Sequence, residues 1–309
     1  MKIKILILAF FCYNIGITQN KYFTEQNLSI NKFIEGTLLL PSNKTNTPLA
    51  IIIGGSGPTD RNGNQNFQKN NSLKKLAEAL SIEGIATFRY DKRVVKQIKQ
   101  GIIDKDIMFD DFIDDAISTS NYFKKQRLFN KIYIVGHSQG SLVGMVAAKN
   151  RADGFISIAG AGQSIDNVII EQINLTAPQF NEETKRIFAA LKKGRTVKDY
   201  PQALTSIFKE DIQGFMRNWI QYKPTEIITE LKIPILIING DKDLQVSVEE
   251  ANTLKKAAPK AKLMIVKNMN HVLVPIAGDN LDNSKSYNQP NREISEELIE
   301  HISKFINSN

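Results

Sequence analysis

Short runs of apolar, β-branched residues alternate along the chain with segments whose apolar residues recur at helical spacing. The apolar runs predict buried strands at 48–53, 85–90, 132–135, 154–159, 233–238 and 261–266, after one or two edge strands within 22–40. Helical spacing predicts helices at 72–83, 109–126, 142–148, 248–258 and 293–306. This alternation is typical of an α/β fold with a mostly parallel, doubly wound sheet and helices on both faces. Two polar stretches, 91–106 and 278–291, are expected to be a charged loop and a flexible surface loop.

A pentapeptide rich in small residues joins the strand at 132–135 to the following helix. Its sequence, Gly136-His-Ser-Gln-Gly140, matches Gly-x-Ser-x-Gly. On a sharp strand-to-helix turn the serine is exposed, and small residues two positions away let the strand and the helix approach each other. The turn also directs the Gln139 N–H and the positive end of the helix toward the reaction site. We therefore predict that Ser138 is a catalytic nucleophile.

Only helical patterns occur between the strands at 154–159 and 233–238. They predict helices at 165–175, 182–193, 201–207 and 212–220. A helical insertion in this place, after a strand that follows the serine turn, can cover the active site. The predicted organisation is therefore a core of residues 19–162 and 233–309 with a helical lid at 163–232.

The predicted nucleophile needs a general base, and histidine suits that role because its usual pKa of about 6.5 is close to neutral pH. The chain has three histidines. His137 lies beside Ser138 with its side chain directed away, which predicts core packing or a supporting hydrogen bond, and His301 belongs to the closing helix. His271 follows the last strand, at the carboxyl edge of the sheet that also carries the turn. We assign His271 as the base.

An acid that orients His271 is expected in the loop after the strand at 233–238. This loop offers Asp241 and Asp243, and either can be a solvated turn residue because Gly-Asp is a common turn pair. Nucleophile, acid and base occur in the order Ser, Asp, His in this class of fold. We favour Asp243 as the acid, with Asp241 capping the turn or supporting the loop.

Attack by Ser138 would create an oxyanion, and each preorganised N–H donor stabilises such a charge by roughly 3–4 kcal/mol. The Gln139 N–H is the first predicted donor. The second is expected in the loop Gly54-Gly-Ser-Gly57, where glycines let the backbone approach a substrate. We choose the Ser56 N–H, with Gly55 as the second choice, and a plain glycine turn is the alternative.

Composition narrows the class of protein. A chain of 309 residues with 42% hydrophobic and 23% charged residues is typical of a folded globular protein. The net charge of +8 could indicate a nucleic-acid partner, but the lysines are scattered and no basic block carries interleaved aromatic residues. We therefore expect no nucleic-acid partner. No metal-ligand spacing or phosphate loop occurs, and no metal or cofactor is expected.

The first 18 residues predict a secretory signal peptide. A positive segment, Met1-Lys-Ile-Lys4, precedes an apolar run at 5–12 and small residues near Thr18. The apolar run is too short to span a membrane and no other segment is long and apolar enough, so no stable membrane insertion is expected. Cleavage near Thr18 would remove Cys12, the only cysteine, which excludes disulfides in the mature chain. We expect a secreted or periplasmic protein.

Taken in order, the motifs resemble those of α/β-hydrolases in the esterase and serine-aminopeptidase-like group, which is related to dienelactone hydrolase. The resemblance covers about 49–271, and its matching segments are 54–64, 88–93, 136–140, 240–243 and 270–271. It implies an eight-stranded sheet, a lid after the sixth strand, an acyl-enzyme mechanism and Ser56 as the second oxyanion donor. The sequence departs from many relatives after Arg93, where Val94-Val-Lys-Gln replaces a glycine-rich turn.

The sequence therefore predicts a secreted serine hydrolase, a carboxylesterase acting on a small-molecule ester or similar acyl substrate. A serine peptidase or aminopeptidase and a thioesterase would use the same residues. An aminopeptidase would need an acidic anchor, for which the insertion offers Glu171, Glu182, Glu183 and Glu210. A binding protein on a hydrolase scaffold is less favoured, because nucleophile, base and acid are all present. The oligomeric state is left open.

Overall fold

The structure, a computed structural model, describes residues 18–19, 22–42, 44–102, 104 and 106–309. The predicted signal peptide at 1–18 therefore lies outside the described residues, apart from Thr18.

A nine-stranded sheet forms the centre of the molecule. Its strands are β1 Thr18–Gln19, β2 Phe23–Ser29, β3 Glu35–Pro41, β4 Leu49–Ile53, β5 Ala86–Tyr90, β6 Ile132–His137, β7 Gly154–Ile158, β8 Ile235–Gly240 and β9 Lys262–Val266. Their order across the sheet is β1-β2-β3-β5-β4-β6-β7-β8-β9. The strands β4 to β9 pair in parallel, and β1, β2 and β3 add an antiparallel side. The eight longer strands are the predicted eight-stranded sheet, and β1 extends it by two residues.

The central strands are buried on both faces, which explains their continuous apolar sequences. In β4, Ile51 belongs to the core on one side of the sheet and Ile52 to the core on the other, and both side chains are at most 1% exposed. They pair in register with Ile134 and Val135 of β6. The serine turn therefore begins at the end of a strand that is held firmly in the middle of the sheet.

Helices cover both faces of the sheet. They are α1 Ser72–Ile82, α2 Arg93–Lys99, α3 Phe109–Gln126, α4 Gln139–Ala148, α5 Ile165–Thr176, α6 Asn181–Lys192, α7 Thr205–Phe208, α8 Glu210–Ile220, α9 Pro224–Thr229, α10 Val248–Ala257, α11 Asn280–Ser286 and α12 Glu296–Ser308. Apolar side chains of α3, α4, α9 and α10 pack in the core on one face, and those of α1 and α12 pack on the other. The predicted α/β class with helices on both faces is confirmed.

The segment between β7 and β8 contains only helices among its regular elements: α5 to α9 and two short 3₁₀ helices, Pro178–Phe180 and Gln202–Leu204. It has an apolar core of its own, to which Ile187, Phe188 and Phe208 contribute fully buried side chains. Trp219 packs against this core and against the main core, and its ring stacks on Phe109 at 5.3 Å. The helical segment therefore rests on the sheet domain through an aromatic contact.

Two stretches expected to be loops contain helices, which corrects the sequence prediction. In 91–106, α2 forms because its first residue, Arg93, is buried and bonded to both carboxylate oxygens of Asp115 at 2.8 Å. In 278–291, α11 is capped at its N-terminus by Asp279, whose side chain accepts hydrogen bonds from the backbone N–H groups of Leu281 and Asp282. Both helices depend on polar contacts, which hydrophobic spacing does not register.

Candidate active site

The turn that carries Ser138 is strained and tightly packed. Ser138 has φ 56° and ψ −123° and joins β6 to α4. A Cβ added at Gly136 would lie 2.2 Å from the carbonyl oxygen of Gly140, and one added at Gly140 would lie 2.3 Å from that of Ile53. Both glycines of the motif are therefore required by close backbone approach. The strain is typical of a residue whose position is functional.

His271 and Asp243 are joined by a hydrogen bond. The Nδ1 of His271 lies 2.7 Å from the Oδ2 of Asp243, and their side chains are 6% and 0% exposed. The other oxygen of Asp243 accepts the backbone N–H groups of Gln245 at 2.7 Å and Val246 at 2.9 Å. Because an ionised carboxylate only accepts, the proton lies on Nδ1, and the Nε2 of His271 is free to accept a proton.

Ser138 and His271 line the same polar cleft. This cleft has a volume of about 60 Å³ and is also lined by Gly55, Ser56 and His137. The structure thus brings together the predicted nucleophile, the predicted base with its bonded acid, and the loop that was predicted to supply an oxyanion donor.

His137 supports the backbone of the predicted base. Its Nε2 donates to the carbonyl oxygen of His271 at 2.8 Å, and the two rings lie 4.9 Å apart. Burial, and next the neighbouring His271, lower the pKa of His137 to about 4, so that its ring is neutral at neutral pH. The sequence predicted packing or a supporting bond here, and the bond is present. His301 lies on α12 beside Glu297, its Nε2 3.4 Å from that carboxylate.

The loops after β8 and β9 are tied to each other. The Oδ1 of Asp241 accepts the backbone N–H of Asn268 at 2.6 Å, so this residue supports the loop as expected. Asn270, which precedes the predicted base, accepts the N–H groups of Val272 and Val274 through its side-chain oxygen. These contacts fix the main chain on both sides of His271.

Asn283 connects the two loops through α11, and sequence reasoning missed it. Its side-chain oxygen accepts from Asn270 at 2.8 Å, and its side-chain nitrogen donates to the carbonyl oxygen of Lys242 at 2.7 Å. Asn270 also donates to the Oγ of Ser286 at 2.7 Å. The side chains of Asn270, Asn283 and Ser286 are buried. The helix-capping Asp279, followed at the spacing of one helical turn by polar residues, is the signal that could have revealed this helix.

The glycine-rich loop after β4 lies against Ser138. A Cβ added at Gly55 would be 3.1 Å from the Cβ of Ser138 and 3.6 Å from its Oγ. Ser56 and Gln139 line a cavity together with Ser138. Lys92, which follows β5, donates from Nζ to the carbonyl oxygen of Gly55 at 3.0 Å and to the Oε1 of Gln139 at 2.6 Å. The sequence predicted only a charged loop at Lys92 and gave it no role.

Two cavities open beside the serine turn. The larger one has a volume of about 540 Å³, reaches Ser138 and is lined mainly by apolar side chains, among them Ile165, Ile169 and Ile173 of the helical segment. The smaller one has a volume of about 280 Å³ and is lined mainly by apolar residues with three aromatic rings, those of Phe112, Phe215 and Trp219. Ser56, Gln139 and Trp219 line both cavities.

The four candidate acidic anchors are each bonded to a neighbouring side chain. Glu171 accepts from Gln163 at 3.0 Å, and the other three form ion pairs: Glu182 with Lys185, Glu183 with Arg186, and Glu210 with Lys198. They are not among the described residues that line the two cavities. The smaller cavity does include two other carboxylates, Asp104 and Asp211.

The described residues contain neither a candidate metal site nor a candidate membrane-spanning helix. No group of three or more His, Cys, Asp and Glu side chains there could hold a metal ion. No helix in that part of the chain has the length and hydropathy needed to cross a membrane.

A family model described as serine aminopeptidase, S33, matches residues 68–274, about two thirds of the chain. The chain belongs to this family. The match contains the serine turn and the loops that carry Asp243 and His271. The predicted resemblance to α/β-hydrolases of the esterase and serine-aminopeptidase-like group is thereby confirmed.

Similar proteins and similar solved structures support the assignment to this family. The chain is 24% identical over 296 residues to Esterase EstD of Thermotoga maritima, an alignment that covers 92% of this chain and 68% of the esterase. Est1E from Butyrivibrio proteoclasticus has a similar structure, with a TM-score of 0.57, 18% identity and coverage of 92% and 99%. Dienelactone hydrolase from Anabaena variabilis gives a TM-score of 0.51, 14% identity and coverage of 93% and 97%. The protein is therefore an esterase-like α/β-hydrolase, and it is a hydrolytic enzyme.

Proposed function

We propose that the protein hydrolyses carboxylic esters through Ser138, His271 and Asp243. The Oγ of Ser138 attacks the ester carbonyl while the Nε2 of His271 takes its proton. His271 then protonates the departing alcohol, which leaves an acyl group on Ser138. Water, deprotonated by the same histidine, attacks this acyl-enzyme and releases the acid. Asp243 holds the imidazole in the required tautomer and stabilises its charge.

The hydrogen bond of 2.7 Å between His271 and Asp243 is the observation that carries this proposal. Burying a carboxyl group is costly unless hydrogen bonds compensate it, and the imidazole of His271 supplies one of the three that Asp243 makes. The strained backbone of Ser138, in the same cleft, gives further support. Three residues from three separate loops converge at the carboxyl edge of one parallel sheet, as ligand sites of such sheets do.

The proposed oxyanion donors are the backbone N–H groups of Gln139 and Ser56. Gln139 is the first residue of α4, so its N–H has no acceptor within the helix and lies at the positive end of the helix dipole. Ser56 and Gly55 belong to the loop that touches Ser138. Gly55 is retained as the second choice for the second donor.

The larger cavity suggests the substrate class. Its volume of about 540 Å³ and its aliphatic lining favour an apolar acyl chain of medium length rather than a charged group. We further propose that residues 163–232 act as a lid, because α5 of this segment supplies a large part of the cavity wall and Trp219 of α8 contributes to it. Substrate preference would then depend on the packing of these helices.

Aminopeptidase activity is the second candidate. The smaller cavity carries Asp104 and Asp211, and a carboxylate there could bind the amine of a peptide N-terminus. An aminoacyl p-nitroanilide tests this directly. Turnover of the anilide that exceeds turnover of p-nitrophenyl esters would favour the peptidase.

The decisive experiment compares the wild type with Ser138→Ala. A fluorophosphonate probe should label the wild type, which should also hydrolyse p-nitrophenyl esters, and the variant should lose both, with a fall in kcat of at least about 10³-fold. Ser284→Ala changes an exposed serine on α11 and serves as the matched control. Labelling without ester turnover would reject the ester substrate, and no labelling of a folded wild type would reject the serine mechanism.

The last proposal concerns export of the protein. Residues 1–17 lie outside the described part of the chain, so this proposal depends on the sequence alone. We propose that a signal peptidase removes residues 1–18 and that the enzyme acts in the periplasm or outside the cell. Intact-mass measurement of protein from the native host tests this proposal. A mass that still contains Met1 to Thr18 would reject it.

A further inference from the structure

Lys92 is a buried cation behind the loop and the helix start that carry the proposed oxyanion donors. The residue is only 6% exposed, although lysine is almost never fully buried without a partner. Its Nζ donates to the Gly55 carbonyl oxygen at 3.0 Å and to the Oε1 of Gln139 at 2.6 Å, and lies 4.1 Å from the ring centre of Phe112. Both acceptors are therefore adjacent to the proposed oxyanion donors. Gly55 directly precedes Ser56, and Gln139 carries the other proposed N–H.

The positive charge of Lys92 is not neutralised by an ion pair within the described residues. The ion pairs found there join other lysines and arginines to carboxylates, and the neighbouring Arg93 pairs with Asp111 and Asp115. Neutral oxygens and an aromatic face hold the ammonium instead. Its field is therefore available to a negative charge that develops nearby, in surroundings of low dielectric constant.

We propose that Lys92 is a positioning residue that orients and polarises both donors of the oxyanion hole. This inference rests on the proposed function, because it assumes that an oxyanion forms beside Ser138.

The covalent structure of the peptide explains the effect on Ser56. The Gly55 carbonyl and the Ser56 N–H belong to one planar trans peptide unit and point in opposite directions. A cation that binds the carbonyl from behind fixes the plane of this unit and directs the N–H away from Lys92. It also draws electron density toward the oxygen, which strengthens the N–H as a donor by cooperative polarisation.

The same ammonium anchors the second donor. By holding the side chain of Gln139, it fixes the first residue of α4 relative to the glycine-rich loop. The two donors come from loops that are about 80 residues apart in the chain, and Lys92 links them through a single atom. Preorganised donors of this kind need no reorientation as the transition state forms.

Burial lowers the pKa of Lys92 to about 7, so the charge should be lost as the pH rises through neutrality. The other titratable groups around it are Tyr90 at the end of β5, Asp115 on α3, Asp104, and Asp211 on α8. Burial raises the pKa of Tyr90 far above neutrality, which keeps it uncharged, and Asp115 is paired with Arg93. Catalysis should therefore decline as the pH rises past about 7 and Lys92 loses its proton.

The test compares Lys92→Met, Lys92→Gln and Lys99→Met with the wild type. Lys99 lies on the neighbouring helix α2 with a side chain that is 67% exposed, so its variant is the matched control. We measure kcat and KM with a p-nitrophenyl ester, the rate of phosphonylation of Ser138 by a fluorophosphonate, and Tm, each from pH 5.5 to 9. The phosphonylation rate reports on the same donors even if esters are not the substrate.

We expect Lys92→Met to lower kcat and the phosphonylation rate by about 10-fold to 100-fold with little change in KM. Its decline in rate above pH 7 should disappear. Its Tm should equal or exceed that of the wild type, because a desolvated ammonium has been removed. Lys92→Gln, which keeps an N–H donor without the charge, should recover part of the loss, and Lys99→Met should behave as the wild type.

Three results would overturn the inference. One is a folded Lys92→Met with wild-type rates. Another is a loss of rate that follows only a raised KM or a lowered Tm. The third is a wild type whose phosphonylation rate does not decline above pH 7, and this measurement decides the matter even if no variant folds. A wild type that is labelled but hydrolyses no ester rejects the ester proposal alone.

Discussion

The carboxylate of Asp243 accepts three hydrogen bonds, and together they hold His271 in position. One oxygen accepts the imidazole Nδ1, and the other accepts two backbone N–H groups of its own loop. Asp243→Asn would keep the size of the side chain, but an amide nitrogen can face the imidazole only by forcing the other tautomer. We expect kcat to fall by about 10³-fold to 10⁴-fold with unchanged folding, measured with p-nitrophenyl esters.

Asp241→Asn is the control for that variant. Asp241 lies in the same loop and uses one oxygen to accept the Asn268 N–H at 2.6 Å, which an asparagine oxygen can also do. Its kcat should remain within a few-fold of the wild type. Equal losses in the two variants would mean that the loop, and not the orientation of His271, is responsible.

His137 predicts a pH dependence of stability. Its pKa in the folded protein is about 4 and its usual value is 6.5, so between these limits the unfolded chain binds the proton and the folded chain does not. The free energy of unfolding should therefore be highest above pH 6.5 and should decrease by about 3 kcal/mol as the pH falls to 4. Urea unfolding across this range measures it.

His137→Gln should flatten that dependence, because a glutamine amide can donate to the His271 carbonyl oxygen without titrating. His301→Gln, on the partly exposed face of α12, should leave the slope unchanged. If the slope persists in His137→Gln, another group titrates in this window.

At the scale of single residues, the proposed nucleophile, base and acid could be predicted from the sequence, because nucleophilic catalysis requires these residue types. Ser138 follows from a five-residue pattern, and His271 and Asp243 follow from elimination and chain order. The roles of Lys92 and Asn283 could not be predicted, because each depends on burial. An isolated lysine or asparagine in a polar stretch is normally solvated, and only the three-dimensional contacts identify its acceptors and donors.

The helix α11 is the element that joins the loops of the proposed acid and base. Asn283→Ala would break the bonds to Asn270 and to the carbonyl oxygen of Lys242, so that the Asn270 amide keeps only its bond to Ser286 and the Lys242 carbonyl oxygen loses this donor. We expect a loss of about 2–4 kcal/mol in the free energy of unfolding, with a fall in kcat as the two loops separate. Chemical unfolding and ester turnover measure the two effects.

Ser284→Ala is the neighbouring control, since its exposed hydroxyl bonds only within α11. Both stability and kcat should stay close to those of the wild type. An equal effect in both variants would indicate that α11 merely unfolds, with no particular connection through Asn283.

Elements with an apolar face were predicted to within three residues at each end, including α3 at Phe109–Gln126 and α10 at Val248–Ala257. Three helices, α2, α9 and α11, were not predicted, because apolar spacing does not mark them. α9 begins at Pro224, a residue favoured in the first turn of a helix, and spans only six residues. α2 and α11 are each seven residues long, too short for apolar periodicity to appear.

For the molecule as a whole, Trp219 is notable because its side chain lines both cavities beside the serine turn. Trp219→Ala would join volumes of about 540 and 280 Å³ into one larger space. We expect the variant to accept longer or branched acyl groups, with the optimum of a p-nitrophenyl ester series shifted to larger chains. It should also be less stable, because it loses the stacking on Phe109.

Trp219→Phe keeps an aromatic ring in that wall and should retain the chain-length optimum of the wild type. An unchanged optimum in Trp219→Ala would mean that substrates use only the larger cavity. A loss of all activity would instead indicate that the helical segment no longer closes over Ser138.

Trp219 is the only tryptophan in the chain. Its indole stacks on a ring of the sheet domain, belongs to the helical segment and borders both cavities. With excitation selective for tryptophan, the fluorescence of this enzyme therefore comes from a single, well-defined reporter. Its emission should respond to ligand entry and to any separation of the helical segment from Phe109, so that binding and opening can be followed in real time without a label.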